Sequence, residues 1–246
     1  MAGIHSNITF GLVNIPIVMT PIIRDNDASF NQLHKKCLNR VNYIKYCKHC
    51  KKEVKEKDII KGYQYEKDNY LVFDSKELDI LKPENDHEIE VVSFIDIDEI
   101  PLVYFEKSYF LSTESKSKAY NLFYEVLKKT KMVALAKCVI SSKFYYVVLR
   151  FIKDGIIMTT LYFDEEVNIP EKDITSKVDP KELDLAMKLV TSMKGTFEPE
   201  KYKDEYQDNI KKAISTKLDG KEIKGKKKSN KVQIDNLLEA LEKSLK

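Results

Sequence analysis

Residues 31–62, NQLHKKCLNRVNYIKYCKHCKKEVKEKDIIKG, constrain this chain more than any other stretch. Three of its four cysteines, Cys37, Cys47 and Cys50, fall here, together with His34 and His49. His34 and Cys37 form an H-x2-C pair, and nine residues further on Cys47 and Cys50 form a C-x2-C pair. Two such knuckles can close one tetrahedral site, because thiolate and imidazole are the donors that a borderline-soft ion such as zinc prefers. His49 lies inside the second knuckle, where it would point away from a metal, so His34 is the expected fourth ligand. Four protein ligands leave no position for a substrate water, which makes the expected zinc structural. The alternative is a set of free thiols in a reducing compartment. The stretch also carries ten lysine and arginine side chains against three acidic ones, a net of +7. A metal there would pin a strongly basic segment with little apolar content of its own.

Charge is segregated along the rest of the chain. Residues 63–110 carry a net of −9, and residues 201–246 a net of +5, although the whole molecule is only +3. Two basic segments flanking an acidic body point to an anionic partner, since each cation placed on a phosphate releases condensed counterions. No recognition-helix pattern offers side chains to base edges, so the expected binding is blind to sequence. Hydrophobic residues make up 43% of the 246, enough for a sizeable core. No apolar run approaches the roughly 20 residues of a membrane span, and the first residues lack a secretory pattern. Close C-x-x-C usage without an export signal suggests a reducing, cytoplasmic setting.

The periodicity is mainly that of strands. Residues 4–17 read as a strand or bent pair, with Gly11 as a bulge and Pro16 ending the pairing. Residues 63–65 and 70–73 flank a Lys67-Asp68-Asn69 hairpin turn, and 74–81 form a short helix capped by Asp74 or Ser75. Further strands are expected over 88–94, 102–111, 132–140, 143–152 and 155–163. Asp154-Gly155 signals a type I′ hairpin between the last two. Ala119, Leu122, Phe123, Val126 and Leu127 have helical spacing within 115–130. Cys138, in an apolar run, reads as a small core residue. The fold class is therefore mainly β, a barrel or sandwich with peripheral helices.

Composition shifts near Glu165. A helix starts at Asp179-Pro180 with a stripe of Leu183, Ala186, Met187, Val190 and Met193, and Gly195 stops it. A second helix is expected over 202–218. A basic linker follows at 220–231, then a short amphipathic helix with Ile234, Leu237, Leu238, Leu241 and Leu245 on one face. The expected division is a core over 1–180, a helical region over 181–219, and a linker with terminal helix over 220–246.

Enzyme signatures are missing. There is no G-x-x-x-x-G-K-[ST], G-x-S-x-G or H-E-x-x-H, and seven glycines leave little for a phosphate-cradling loop. The pairs Asp96/Asp98 and Glu165/Glu166 read as strand-end and loop charges rather than a magnesium site. His5 and His87 have no evident partner. A non-catalytic binding protein is the expectation.

Several motifs, in order, resemble the bacterial Ku proteins of DNA end joining. They are SNITFGLVNIPI near the start, FNQLHKKC from Phe30, DIIKGYQYEKDNYLVF from Asp58, IPLVYFEKSYFLS, KAYNLFYEVLKKT and the terminal ALEKSL. The resemblance spans essentially the whole chain. One departure is Ile4-His5-Ser6, where many members have a tryptophan and a lysine. The resemblance implies a seven-stranded-type β-barrel with an inserted zinc-ribbon bridge over 31–62 and a helical C-terminal arm. It implies a homodimer whose two bridges make a ring for a double-stranded DNA end. It also implies His34, Cys37, Cys47 and Cys50 as the ligands of one structural zinc, and an arm that recruits an ATP-dependent DNA ligase. On this reading Lys35, Lys36, Arg40, Lys45, Lys51 and Lys52 contact DNA from the bridge. Lys226, Lys227, Lys228 and Lys231 add a looser contact from the tail. The competing reading is a monomeric zinc-ribbon nucleic-acid or transcription-associated module.

Overall fold

The structure, a computed structural model, describes residues 3–24, 26–83, 88–170 and 178–223. The chain starts with β1 (Ile4–Phe10) and β2 (Val13–Pro21), followed by two small hairpins. These are β3 (Tyr46–Cys47) with β4 (Lys52–Glu53), and β5 (Lys61–Glu66) with β6 (Asn69–Phe73). Helix α1 (Ser75–Ile80), β7 (Glu88–Ile95), β8 (Phe105–Ser112) and helix α2 (Lys118–Thr130) come next. Then follow β9 (Val133–Ile140), β10 (Lys143–Ile152) and β11 (Gly155–Leu161), and finally helices α3 (Pro180–Ser192) and α4 (Glu205–Leu218).

Seven strands close a barrel in the order β1-β2-β8-β11-β10-β9-β7. All neighbours are antiparallel except the seam, where β7 lies parallel to β1 through Asn7↔Glu88, Ile8↔Ile89 and Thr9↔Glu90. The expected barrel is therefore present. Alternation fills it, because side chains on a strand point to opposite faces with period two. Ile8, Ile15, Ile17, Met19, Ile89, Leu111, Ala134, Ala136, Cys138, Val147, Leu149, Ile156 and Met158 share one buried core. Helix α2, capped by the Ser117 hydroxyl on the Tyr120 N–H, adds Phe123 and Leu127 to that core. The Phe123 ring stacks on Phe10 at 5.2 Å and meets Phe94 edge-on at 6.4 Å. Burying each such side chain stabilises by about 1.5–3 kcal/mol.

Two expectations for the first hairpin are corrected. Gly11 (φ +56°) sits in the β1–β2 turn, with Leu12 fully exposed beside it, and forms no bulge. Pro16 lies inside β2 opposite Asn7 and does not end the pairing. The ladder between β2 and β8 begins only at Val18. At Pro16 the flank away from β1 is thus unpaired, which is where a residue without an N–H is tolerated.

The type I′ expectation is corrected too. Ile152 pairs with Gly155, so the two-residue loop is Lys153-Asp154, and neither of these has a positive φ. Gly155, at φ +154°, opens β11 for a different reason. A Cβ there would stand 2.8 Å from the Phe110 ring and 3.2 Å from the Tyr120 hydroxyl oxygen. That hydroxyl donates to the Leu111 carbonyl at 2.6 Å and accepts the Ile156 N–H at 3.1 Å, tying β8 to β11. The left-handed pair occurs instead between β9 and β10, at Ser141 (φ +52°) and Ser142 (φ +64°).

Between β2 and β7 the described residues 22–24 and 26–83 lie outside the barrel strands. None of the described residues from Ile22 to Glu88 is buried. The β5–β6 hairpin forms with its turn at Lys67-Asp68, where Asp68 (φ +64°) is left-handed. Helix α1 has Asp74 as its cap, in a capping box with Glu77: the Glu77 N–H donates to Asp74 at 2.7 Å and the Asp74 N–H to Glu77 at 2.9 Å. The 102–111 strand starts later than expected, since Leu102–Tyr104 is a 3-10 turn.

The chain divides into two compact units, one of Met1–Asp25 with Asn31–Ile169, the other of Asn26–Phe30 with Pro170–Lys246. In the second unit, Asp179 caps α3 with Pro180 at its first position, as expected. The helix ends at Ser192, before Gly195. Its half-buried residues are Glu182, Leu185, Ala186 and Leu189, whereas Leu183, Met187, Val190 and Met193 of the expected stripe are exposed. Helix α4 starts at Glu205, later than expected, after a 3-10 turn at Pro199–Lys201. Lys226, Lys227, Lys228, Lys231, the terminal helix and His87 lie outside the described residues. Among the described residues no helix is long and apolar enough to cross a membrane.

Candidate metal centre and nucleic-acid interface

The segment 31–62 contains one local fold twice. In the first knuckle Leu33 bridges to Arg40, the His34 N–H donates to the Asn39 carbonyl at 2.9 Å, and the Leu38 N–H returns to His34 at 2.8 Å. In the second, Tyr46 pairs with Glu53 and Cys47 with Lys52. The first donor of each pair thus faces the residue five positions on. The residue after each second donor is left-handed, Leu38 at φ +57° and Lys51 at φ +52°. Neither is glycine, and a non-glycine residue held in that region costs about 1–2 kcal/mol. Turning the chain so sharply brings each pair of donors together. His34 Nδ1 and Cys37 Sγ lie 3.1 Å apart, and the Cys50 N–H donates to Cys47 Sγ at 3.4 Å.

The two thiols of the second knuckle are shifted in opposite directions. The Cys50 backbone N–H, then the Cys50 side chain and the His49 N–H, pull the Cys47 thiol below its ordinary value, and Lys52 acts in the same direction. Its hydrogen bond with Cys47, followed by the charge of Cys47, pushes Cys50 up. A thiol held below its ordinary value gives up its proton more readily, which suits a cation because a thiolate and not a thiol is the metal ligand. The donor set of one imidazole and three thiols fits tetrahedral zinc. The structure holds the donors as two pairs: among the described residues no three histidine, cysteine, aspartate or glutamate side chains are grouped as a metal-holding cluster. His49 occupies the tip of the second knuckle.

The charge lies on the knuckle tips and their flanks. Lys35 and Lys36 form one tip, Lys48 and His49 the other, and Lys51 and Lys52 follow Cys50. All are exposed, as are Arg40 and Lys45. Lys45 is engaged with Glu56 at 2.5 Å, while Lys35, Lys36, Arg40, Lys51 and Lys52 form no ion pair among the described residues. The repeat adds Lys48, which occupies the position of Lys35; charge density alone did not single it out.

Beyond the knuckles, the β5–β6 hairpin pairs Tyr63 with Leu71, its register shifts at Tyr65, and all three are exposed. Of the carboxylates weighed as magnesium ligands, Asp96 and Asp98 lie at the 3-10 turn Ile97–Glu99, and Glu165 and Glu166 in the 3-10 turn Asp164–Glu166, where Glu166 accepts the Phe163 N–H at 2.9 Å. His5 faces Glu114 at 3.7 Å on an open surface.

Comparison with known proteins agrees with this architecture. The family model described as the Ku70/Ku80 beta-barrel domain matches residues 9–185. A protein of Lachnoclostridium phytofermentans named "Non-homologous end joining protein Ku" is 37% identical over 100% of this chain and 96% of its own length. A protein of the same name from Bacillus subtilis is 34% identical over 97% of this chain and 79% of its own length. A third from Pseudomonas aeruginosa is 32% identical over 85% of this chain and 74% of its own length. A closed barrel of this order, an unburied basic excursion between β2 and β7 and full-length similarity lead to one conclusion: the chain belongs to the Ku family.

Proposed function

We propose that this protein binds the ends of double-stranded DNA without reading sequence and acts, without catalysis, in non-homologous end joining. The observation that carries the proposal is the excursion between β2 and β7. It departs from a closed barrel, buries no described residue, and presents on two matched knuckles cations that form no ion pair among the described residues. Such a span gains little by folding back on its own barrel and much by lying on phosphate. Lys35, Lys36, Arg40, Lys51 and Lys52 are the expected contacts, with Lys45 and Lys48 beside them. Lys226, Lys227, Lys228 and Lys231 provide a looser one.

The working form is a homodimer in which two excursions arch into a ring. A two-stranded hairpin is marginal by itself in water, and β5–β6 exposes Tyr63, Tyr65 and Leu71. A second copy of the same face is the simplest cover. One structural zinc per chain, held by His34, Cys37, Cys47 and Cys50, would clasp the two knuckles and stiffen the basic span. The C-terminal arm recruits an ATP-dependent DNA ligase, for which the exposed stripe of α3 supplies an apolar surface. The setting is the bacterial cytoplasm, on the nucleoid.

The test compares three DNA substrates of equal length: a linear duplex, the same duplex with both ends plugged, and a closed circle. Binding to the first alone is the expected result. Equal affinity for all three sinks threading and favours the monomeric zinc-ribbon module. Sedimentation of Leu71→Asp checks the dimer, which should shift toward monomer while the barrel's melting temperature stays put.

A further inference from the structure

The root of the basic excursion is held by a side chain from the far end of the sequence. Asp204 caps α4, accepting the N–H groups of Tyr206 at 2.9 Å and Gln207 at 3.0 Å. This sets Gln207 in the first turn with only 5% of its surface exposed. Both ends of its carboxamide are used. Oε1 accepts the Ala28 N–H at 3.1 Å, and Nε2 donates to Asp27 Oδ1 at 2.8 Å. The partners lie 179 and 180 residues away in the chain. Asn26–Phe30 accordingly belongs to the same compact unit as the C-terminal helices, and residue 31 begins the basic segment.

At the barrel edge the Ile22 N–H donates to the Ser108 carbonyl at 3.3 Å. Beyond it no described residue up to Glu88 is buried, so no buried apolar side chain anchors the start of the excursion. A buried amide satisfied at both ends, one of them by a carboxylate, is among the stronger neutral-to-charged contacts available. Either end left unmade would be costly. We infer that Gln207 is a positioning residue for DNA-end binding: through Asp27 and Ala28 it fixes the root of the basic span and so keeps the ring closed on DNA. The inference rests on the ring reading above.

A charge swap tests it in the full-length protein. Gln207→Glu keeps the shape and still accepts from Ala28, but at pH 8 it sets a carboxylate against Asp27 where the Nε2 donor stood. Asp27→Asn combined with Gln207→Glu restores a donor facing an acceptor. Protein is loaded on a duplex with one plugged end, the second end is plugged, and escape is followed after a salt jump with competitor DNA. Wild type and the double variant should be retained, while Gln207→Glu escapes roughly tenfold faster, the factor expected for one charge-assisted hydrogen bond. Amide exchange at Ala28 should accelerate in Gln207→Glu and recover in the double variant. Gln207→Asn, too short to reach both partners, should repeat the release if Gln207→Glu folds poorly. Retention of Gln207→Glu at the wild-type rate, with Ala28 exchange accelerated, overturns the inference. Unchanged Ala28 exchange overturns it also. Wild-type escape unaffected by plugging removes the ring itself, a failure told apart because it appears without any substitution.

Discussion

At Gly155 the barrel has no room for a methyl group. A Cβ would press on the Phe110 ring at 2.8 Å and crowd the Tyr120 hydroxyl that links β8 to β11. Gly155→Ala should cost about 1–3 kcal/mol, the usual penalty of overpacking, and the midpoint of urea unfolding measures it. A neutral result would mean that Phe110 swings aside. The opposite case lies one hairpin earlier. Ser141 and Ser142 both hold a left-handed conformation that glycine adopts freely and serine does not. Ser142→Gly should therefore stabilise by about 1 kcal/mol, read as a higher melting temperature; a lower one would show that the serine contributes something its backbone does not reveal. These two positions also mark the limit of local reading. Asp154-Gly155 carries the sequence signal for a left-handed turn, yet the glycine is there for Phe110 and Tyr120, residues that no neighbour in the chain announces.

Elements were legible where their pattern is local. The spacing of Phe123 and Leu127 places α2, Asp74 and Asp179 cap the helices assigned to them, and apolar, β-branched and aromatic runs mark the strands from β7 to β11. The knuckles were legible in the same way, as ligand pairs at fixed spacing. Their repetition was not, because it resides in hydrogen bonds and in Leu38 and Lys51, two unlike residues with one conformation. It predicts that the knuckles behave as one clasp. Cys47→Ser should lower zinc content from about one per chain and expose residues 31–62 to protease, while the barrel melts as before. Zinc retained in full by Cys47→Ser would exclude Cys47 as a ligand. The exposed Lys45–Glu56 pair adds little to this, as surface ion pairs are worth about 0–1 kcal/mol.

For the whole molecule, charge placement matters more than net charge. A total of +3 would bind DNA poorly if it were spread evenly, whereas on the proposed reading +7 gathered on residues 31–62 would meet phosphate as a block. Removing one contacting lysine, for example Lys35→Ala, should weaken binding to every duplex alike and reduce the slope of log affinity against log salt by about 1. A slope that does not change would move Lys35 away from the DNA. Affinities measured from about 50 to 200 mM salt give that slope directly.

The chain by itself determined which residues alternate, which helices are capped, where donors sit in pairs and where cations concentrate, because each depends on neighbours within a few positions. Tertiary structure alone decided that β7 closes the barrel on β1, that Pro16 meets an unpaired flank, and that Gln207 holds Asp27 and Ala28. In each case the partner is remote in the chain. Its position is set by barrel closure and by packing in the C-terminal unit, which no local pattern encodes.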